Sequence, residues 1–540
     1  MKKHSKWIGV VLAALLVYIF YTPQSTTPDQ DAPKIALQRY GTATLKRDLS
    51  QLKASDRAMI PLLIQAARKM DRLYWLQHHG EPGPLLEHAQ SPQMRLLLES
   101  NHGPWDKLND LKPLLAGVEA RPKGANFYPA DMSPEEWKAF THPHKASSYH
   151  LIQRRADGKL KAMPYRQAFA PELEETAQLL IRAAKHSSDP AFAQYLRHRA
   201  RALTRDKFKT SDRAWVLLDK NPVDLIIGPI ETYDDGLFGS KTAYEALLLV
   251  RDFSWDEKLK VWEEKLPSLQ KRLPVPPQYR SEIPGKAAGL GAYDLWYAAG
   301  QANSGPKALA LNLPNDPDIQ LELGSRRLQL KNVMAAKYER ILKPIADLLL
   351  IPRQAKKVSF DAFFTSTMLH EVAHGLGIKK LVNGQGMVKE ALGEFADDLE
   401  EDKADLLALY FIALLIESNE LEGDLEGYYA TFTADILRSM RFGLHSAHGR
   451  AALARWNELL NRRAISERGE RFEIHVPIMK QAIQDLSRQV LIFQGDGDQG
   501  KVKTWLHHMA TRVPSLERAI AKMEKQGIQV DIRFIQGPEQ

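Results

Sequence analysis

The chain of 540 residues contains no cysteine. This absence excludes disulfide bonds, thiolate metal sites, a cysteine nucleophile and lipid attachment at an N-terminal cysteine. A metal ion would therefore have to be bound by His, Asp or Glu side chains, and the chain has 17 His and 66 Asp and Glu residues. A protein without cysteine is also compatible with an oxidising compartment.

The sequence also lacks repeats, low-complexity tracts and long blocks of one charge. Hydrophobic residues at 44% and charged residues at 26% are ordinary globular values, which excludes a disordered chain and a polytopic membrane protein. The net charge is +8, but basic and acidic residues are interspersed, so we expect no nucleic-acid partner. The length predicts about three domains or one large two-lobed unit.

The first 30 residues have the pattern of an export signal. Lysines precede an uncharged apolar run, residues 7–21, and a polar stretch follows it. Fifteen helical residues span about 22 Å, which is shorter than a bilayer core and favours a signal peptide. However, no small-residue cleavage site follows, and the bulky aromatic end of the run resembles an interfacial anchor. Both alternatives predict a periplasmic protein, either cleaved or anchored to the cytoplasmic membrane.

Apolar spacing predicts a largely helical chain with strand-like interruptions. We expect a short buried strand, a turn and a helix start within residues 221–239, and strand-like structure within 307–330. Helices are expected again from residue 347 to about 488. Two β-like pieces are expected in the tail, "QVLIFQ" and "IQVDIRFIQG".

The stretch "MLHEVAHGLG" contains two histidines four residues apart, His370 and His374. On a helix they lie on one face and can bind a single ion, while Glu371 is rotated about 100° from His370 and can polarise a water at the metal. An apolar stripe on the opposite face and glycines after the motif predict a buried helix that ends there. The alternative is a core helix with hydrogen-bonded histidines.

A third ligand is expected from the helix that begins "ADDLEEDKADLL", because its polar start carries Glu400, Glu401 and Asp405. Alone, its acidic residues, including Glu400 and Asp405, would be interpreted as a solvated helix N-terminus. Next to the first motif they favour a site with two His and one Glu, which leaves one coordination position open for water, as in catalytic zinc sites. We therefore expect one Zn²⁺ per chain.

Several further motifs, in order along the chain, resemble those of the dipeptidyl-peptidase III family of zinc metallopeptidases, particularly its shorter bacterial members. The resemblance covers most of the chain after residue 50. Its markers are "AARKMDRLYWLQ", "GPWDKLNDLKP", "PKGANFYPADM", "IIGPIETYDDGLFGSKTAYEA", "ALNLPNDPDIQ", "MLHEVAHGLG" and "LEEDKADLLALY".

The resemblance implies roles for individual residues. The zinc ligands of the family correspond to His370, His374 and Glu401, and its general base corresponds to Glu371. Its tyrosine that hydrogen-bonds the scissile carbonyl corresponds to Tyr233, for which the alternative is a buried tyrosine after a strand. Family residues that hold the N-terminus and backbone of the substrate correspond to Glu231, Asn312 and Asn315.

A later helix contains His445 and His448. The resemblance favours His448 as the family histidine near the transition state, with Arg450 or Arg455 as counterparts of a nearby arginine. A structural role for this histidine is the alternative.

Two departures from the family pattern bear on specificity. Classical members carry one extra residue between the two zinc histidines, whereas this chain has the four-residue spacing that suits a regular helix. Their second motif commonly reads Glu-Glu-Cys-Arg-Ala, whereas this chain has Asp402 and Lys403 at its third and fourth positions. The ligand is retained but the local charge changes, so the substrate preference of the family does not necessarily transfer.

The resemblance implies an α+β, predominantly helical fold with two lobes around a wide cleft, one lobe helical and zinc-bearing, the other mixed with a small β-barrel. We assign residues 1–30 to the signal or anchor. The mixed lobe is assigned to 31–250, 295–345 and 486–540, and the catalytic lobe to 251–294 and 346–485.

The expected function is zinc-dependent release of dipeptides from the N-terminus of oligopeptides. The alternatives are an aminopeptidase or endopeptidase on the same scaffold, and a zinc-bearing protein that binds peptides without cleaving them. A phosphate-loop spacing, Gly495 to Lys501, is interpreted as a turn between a strand and a helix because Val502 replaces the magnesium-binding Ser or Thr. The partner is thus an oligopeptide, with membrane contact only through the N-terminal segment, and the sequence does not determine the oligomeric state.

Overall fold

The computed structural model describes residues 32–45, 49–282, 289–442 and 447–536, with only the backbone described at 32, 256–260, 262–263, 442 and 447–448. The predicted export signal therefore lies outside the described residues. Within the described ranges, every helix is too short or too polar to cross a membrane.

Helices make up most of the described chain. Their bounds are Ala32–Gln38, Ala54–His78, Pro82–Glu87, Pro92–Asn101, Pro134–Ala139, Tyr165–Ala168, Ala170–Ala183, Pro190–Leu203, Lys209–Val216, Phe253–Lys271, Pro317–Leu323, Lys331–Lys337, Lys343–Leu349, Pro352–Ala355, Phe360–Ala373, Val388–Leu392, Ala396–Glu417, Leu425–Ser439, Ala447–Asn461, Val476–Asp496, Gln499–Met509 and Pro514–Lys525. A π-helical turn, Tyr338–Leu342, connects two of them.

Thirteen strands are described, and five of them form the main sheet. The strands are β1 (Tyr40–Thr44), β2 (Trp105–Asp106), β3 (Lys112–Pro113), β4 (His150–Arg154), β5 (Leu160–Pro164), β6 (Val223–Glu231), β7 (Ala243–Arg251), β8 (Leu290–Gly300), β9 (Ala310–Leu313), β10 (Arg326–Leu330), β11 (Ile465–Arg468), β12 (Arg471–Ile474) and β13 (Asp531–Ile535). Four two-stranded pairs, β1 with β13, β2 with β3, β4 with β5 and β11 with β12, complete the set.

The main sheet has the order β6-β7-β8-β10-β9, so β6 and β9 are its two edges. Only β8 and β10 are parallel, and the other neighbours are antiparallel. This mixed half-barrel corresponds to the β-barrel expected for the mixed lobe, and the α+β, predominantly helical fold class is confirmed. The division into lobes at the assigned residue boundaries stays a prediction.

Several local predictions were wrong. The span expected to be helical to about residue 488 contains the strand pair β11 and β12. The span expected to be strand-like within 307–330 contains the helix Pro317–Leu323 between two strands. The chain after β6 turns into β7 and does not enter a helix, because "AYEALLLV" is a buried apolar run whose residues are covered on both faces of the sheet. The stretch "QVLIFQ" is not a strand: it continues the helix Val476–Asp496, where its apolar residues pack at helical spacing. The predicted strand in the tail is confirmed as β13.

Two adjacent helices carry the metal-binding motifs. The first ligand helix, Phe360–Ala373, begins at Ser359, whose hydroxyl accepts a hydrogen bond of 3.1 Å from the Ala362 N–H. It ends at Ala373, so that His374 is its C-cap residue, and Gly377 has the positive φ of 88° that lets the chain turn away. The second ligand helix, Ala396–Glu417, packs against it and is itself covered by Val476–Asp496. Both helices are buried, so their polar residues face each other across a fixed interface.

Candidate active site

Three side chains from the two ligand helices converge on one point. The Nε2 atoms of His370 and His374 lie 3.1 Å apart, and Glu401 Oε2 lies 3.4 Å and 3.9 Å from them, respectively. Among the described residues this is the one group of three His, Asp or Glu side chains whose ligand atoms could hold a metal ion together. The structure thus brings together the three residues that the sequence suggested as ligands.

This triangle has the dimensions of a zinc site. Ligand bonds of about 2.0–2.2 Å in a tetrahedron place ligand atoms about 3.4 Å apart, close to the three observed separations. Two imidazoles and one carboxylate form a donor set typical of catalytic zinc, with one position left for water or substrate. The side chains present therefore fit a zinc ion.

The other ring nitrogens of both histidines are held by carboxylates. His370 Nδ1 lies 2.7 Å from Asp405 Oδ1, and His374 Nδ1 lies 2.9 Å from Glu400 Oε1. A carboxylate at Nδ1 keeps the proton on that nitrogen, so that Nε2 is free to bind a metal. Burial acts to lower the pKa of His370, but Asp405 and Glu401 raise it well above its usual value.

A further layer of buried cations holds these carboxylates. Lys403 Nζ lies 2.7 Å from Glu400 and donates a 2.9 Å hydrogen bond to the Leu376 carbonyl, which follows the first ligand helix. Burial would raise the pKa of Glu400, but Lys403 and His374 hold it well below its usual value. Glu400 therefore stays ionised and fixes His374.

Arg455 performs the same function for the other histidine. Its Nη1 lies 2.8 Å from Asp405 Oδ2, and its Nε donates to Asp402 Oδ1 at 2.9 Å. Burial raises the pKa of Asp402 to about 6, and Arg455 limits that rise. The sequence did not assign this positioning role to Glu400, Asp405 or Arg455. The available signal was that Asp405 follows Glu401 by four residues and so shares its helix face.

The site opens on a cleft of about 1240 Å³. Ser366, Thr367, His370 and Glu371 of the first ligand helix line one part of its wall. The wall also includes the predicted catalytic Tyr233 and the predicted substrate-binding residues Glu231, Asn312 and Asn315, from the main sheet and the loops next to it. The cleft therefore brings His370 of the metal group, Glu371 and these four residues to one space.

Glu231 ends strand β6 after a register irregularity at Pro229, the kind of bulge that redirects a side chain. Asn315 Nδ2 donates a 3.0 Å hydrogen bond to Glu231 Oε2. Burial raises the pKa of Glu231, while Asn315 and Tyr233 lower it by hydrogen bonding. The pair presents a carboxylate and an amide carbonyl, which are acceptors suited to an ammonium group.

The Tyr233 side chain is 80% exposed to the cleft. Enough protein surrounds the cleft to raise the pKa of its phenol, and the carboxylates of Glu231, Glu245 and Glu401 raise it further. Tyr233 therefore remains a protonated donor near both Glu231 and the metal ligand Glu401. The alternative of a buried tyrosine does not hold.

The side chains of His445 and His448 lie outside the described residues, so the role suggested for His448 stays a prediction. Arg450 pairs with Asp398 at 2.6 Å. The Gly495 to Lys501 stretch connects two helices, Val476–Asp496 and Gln499–Met509, so the strand expected before this turn is absent there.

Comparisons with known proteins agree with this geometry. The sequence profile of peptidase family M49 matches residues 141–404. The structure of dipeptidyl-peptidase III from Caldithrix abyssi is 33% identical, with a TM-score of 0.89 over 94% of this chain and 99% of that one. That from Corallococcus sp. strain EGB is 31% identical, with a TM-score of 0.80 over 93% and 96%. Nudix hydrolase 3 of Arabidopsis thaliana is 30% identical over 563 aligned residues, 92% of this chain and 72% of that protein.

Proposed function

The chain belongs to the dipeptidyl-peptidase III family, peptidase family M49, and on that premise we propose that it releases dipeptides from the N-terminus of oligopeptides with zinc as cofactor. One observation carries the proposal. The same cleft is lined by His370 of the metal group, by the neighbouring Glu371, and by Glu231 and Asn315, which can bind an ammonium group. A peptide held by its free N-terminus would place an early peptide bond at the metal.

His370, His374 and Glu401 would hold the zinc ion. When bound, zinc supplies a Lewis acid that polarises a carbonyl and makes water more acidic. All other steps fall to side chains of the chain itself.

Glu371 is the proposed general base. It lines the cleft beside His370, one residue from the first ligand, and is not itself one of the three ligands. Its carboxylate takes a proton from the water as the new C–O bond forms at the carbonyl carbon, and then passes that proton to the amide nitrogen. The peptide C–N bond breaks in this second step, and the amine leaves protonated. Tyr233 donates its phenol proton in a hydrogen bond to the carbonyl oxygen, where negative charge develops.

The strand β9 supports binding of an extended substrate. It is an edge strand of the main sheet, and Ala310, Leu311 and Asn312 line the cleft. The backbone of an edge strand can pair with an extended peptide, and Asn312 adds side-chain amide groups at the same place. This arrangement favours short, unfolded oligopeptides over folded proteins.

The test compares free oligopeptides with the same peptides blocked by N-acetylation, with products identified by mass spectrometry. We expect dipeptides from the free peptides and little cleavage of the blocked ones, because acetylation removes the charge that Glu231 binds. Undiminished cleavage of blocked peptides would indicate an endopeptidase, and release of single residues an aminopeptidase. Absence of turnover with one equivalent of zinc would favour the peptide-binding alternative.

We also propose that residues 7–21 export the protein across the cytoplasmic membrane. This proposal rests on the charge and hydropathy pattern of that segment alone. Cell fractionation with N-terminal sequencing of the recovered protein would test it. Recovery from the cytoplasm with an intact start would contradict it.

A further inference from the structure

The position of Tyr233 requires an explanation, because its ring is largely exposed. Its hydroxyl bonds to Glu231, but the ring gains little from packing. A donor that must meet a developing charge within a few tenths of an ångström needs a fixed orientation. Apart from its hydrogen bond to Glu231, the orientation of Tyr233 therefore depends on the backbone that carries it.

The next residue, Asp234, is buried and accepts hydrogen bonds from several directions. The donors to its carboxylate are Tyr74 Oη at 2.7 Å, Gln301 Nε2 at 2.7 Å, Arg121 Nη2 at 2.8 Å and His78 Nδ1 at 3.1 Å. Lys107 Nζ adds an ion pair at 3.6 Å. Arg121 Nη2 also donates a hydrogen bond of 3.0 Å to the backbone carbonyl of Asp234. The partners come from the helix Ala54–His78, from residues 107–121 and from Gln301, so three separate segments hold one carboxylate.

The charge of Asp234 is stabilised by this environment. Burial would raise its pKa, but Lys107, His78 and Arg121 hold the pKa well below its usual range. His78 stays neutral, since burial and the nearby Lys107 lower its pKa to about 3. An ionised, fully hydrogen-bonded buried carboxylate is costly to move, because displacement leaves both it and its cations without partners.

The following residue, Asp235, also holds this loop in place. Its carboxylate accepts a hydrogen bond of 2.8 Å from Tyr128 Oη. It also accepts from the backbone N–H groups of Leu237, Phe238, Ser240 and Lys241. Tyr233 therefore lies in a loop in which the next two residues, Asp234 and Asp235, are each held by the hydrogen bonds of their own carboxylates.

We propose that Asp234 is a positioning residue for the reaction: through its buried contacts with Tyr74, Arg121 and Gln301 it fixes the backbone that aims the Tyr233 phenol at the substrate carbonyl. This inference rests on the proposed function, since it assumes that Tyr233 acts in the transition state. Asp234 itself touches neither the substrate nor the metal.

The test is a double-mutant cycle on the zinc-loaded full chain, with kcat and KM measured on an unblocked tetrapeptide. We expect Asp234→Asn to lower kcat by about 10- to 100-fold with KM changed by less than about threefold. In the Tyr233→Phe background the same change should lower kcat by less than about twofold, because there is no phenol left to misplace. Equal losses in both backgrounds would overturn the proposal.

Asp224→Asn is the matched control. Asp224 is also buried, at the opposite end of β6, and it accepts hydrogen bonds of 2.6 Å from Arg326 and 2.9 Å from Trp215. Its loss should reduce stability while changing kcat by the same small factor in both backgrounds. If Asp224→Asn lowers kcat strongly with Tyr233 present and only slightly in the Tyr233→Phe background, as expected for Asp234→Asn, the proposal is also overturned.

A second readout does not depend on turnover. With 3-fluorotyrosine at position 233, the fluorine resonance should be single and sharp in the parent protein and in Asp224→Asn, and shifted or broadened in Asp234→Asn. An unchanged resonance in Asp234→Asn would refute the positioning role, whether or not the parent protein cleaves peptides. A parent protein that cleaves no peptide would refute the proposed function, which is a separate outcome. If Asp234→Asn does not fold, Tyr74→Phe, which removes one donor and no charge, should give a smaller shift of the same kind.

Discussion

Replacing Arg455 by methionine should weaken both the fold and the metal site. Arg455 is 2% exposed and contacts two carboxylates, Asp402 and Asp405, at 2.9 Å and 2.8 Å. Asp405 in turn holds the Nδ1 atom of His370 at 2.7 Å. Methionine fills similar space but supplies no charge, so Arg455→Met removes the shared partner of both acids.

The size of the effect follows from the burial of Asp402, which is also 2% exposed. Removing one partner of a buried ion pair costs about 3–5 kcal/mol, because the other charge is left uncompensated. The pKa of Asp402 is already raised to about 6 with Arg455 present, so without Arg455 this carboxyl can take up a proton at neutral pH. Protonation limits the cost, and we therefore expect a loss of about 3 kcal/mol. Loss of an outer partner of a metal ligand should also weaken zinc binding by about 10-fold.

The assay is urea unfolding of the zinc-free protein, followed by zinc titration against a competing chelator. Arg518→Met is the control, because Arg518 is 63% exposed and its 2.6 Å pair with Glu467 should contribute less than about 1 kcal/mol. If Arg455→Met behaves like the control in both measurements, the account of this buried network is wrong.

Three other perturbations probe separate parts of the site. Glu371→Gln should retain one zinc per chain and bind peptide, but lose at least about 100-fold in kcat, since an amide cannot take up the proton of water; full activity would exclude Glu371 as the base. Asn315→Ala should raise KM by about 10-fold or more for peptides with a free N-terminus, as one partner of the Glu231 carboxylate is lost; an unchanged KM would remove Asn315 from substrate binding. In the unfolded chain His78 has its ordinary pKa of 6.5, so it binds a proton below that pH. In the folded protein its pKa is about 3, so it stays neutral over the same range. Stability should therefore fall by about 2 kcal/mol between pH 7 and pH 5, and His78→Gln should remove that part of the fall in urea titrations.

The sequence was sufficient to identify the ligand helices, because a four-residue spacing of histidines and the acidic start of a later helix are local patterns. The partners that hold them could not be predicted in the same way. Arg455 is 53 residues from Asp402, and Gln494, which donates to Glu400, is 94 residues away. Such pairs depend on how helices pack, which no spacing along one segment encodes.

Two of the wrong local predictions have a related cause. A helix start was expected after the turn that follows β6, but the chain enters β7, whose residues are buried on both faces and so do not alternate between apolar and polar. In "QVLIFQ" the short apolar run resembled a strand, although it belongs to a helix of 21 residues. In both cases tertiary burial decided between two structures that a short apolar run allows equally.

The central claim is that His370, His374 and Glu401 bind one zinc ion. Anomalous diffraction at the zinc edge, from crystals grown with zinc, tests it most directly. We predict a single strong peak within about 2.0–2.2 Å of both Nε2 atoms and of one Glu401 oxygen. A peak elsewhere, or none between these side chains at full zinc saturation, would contradict the claim.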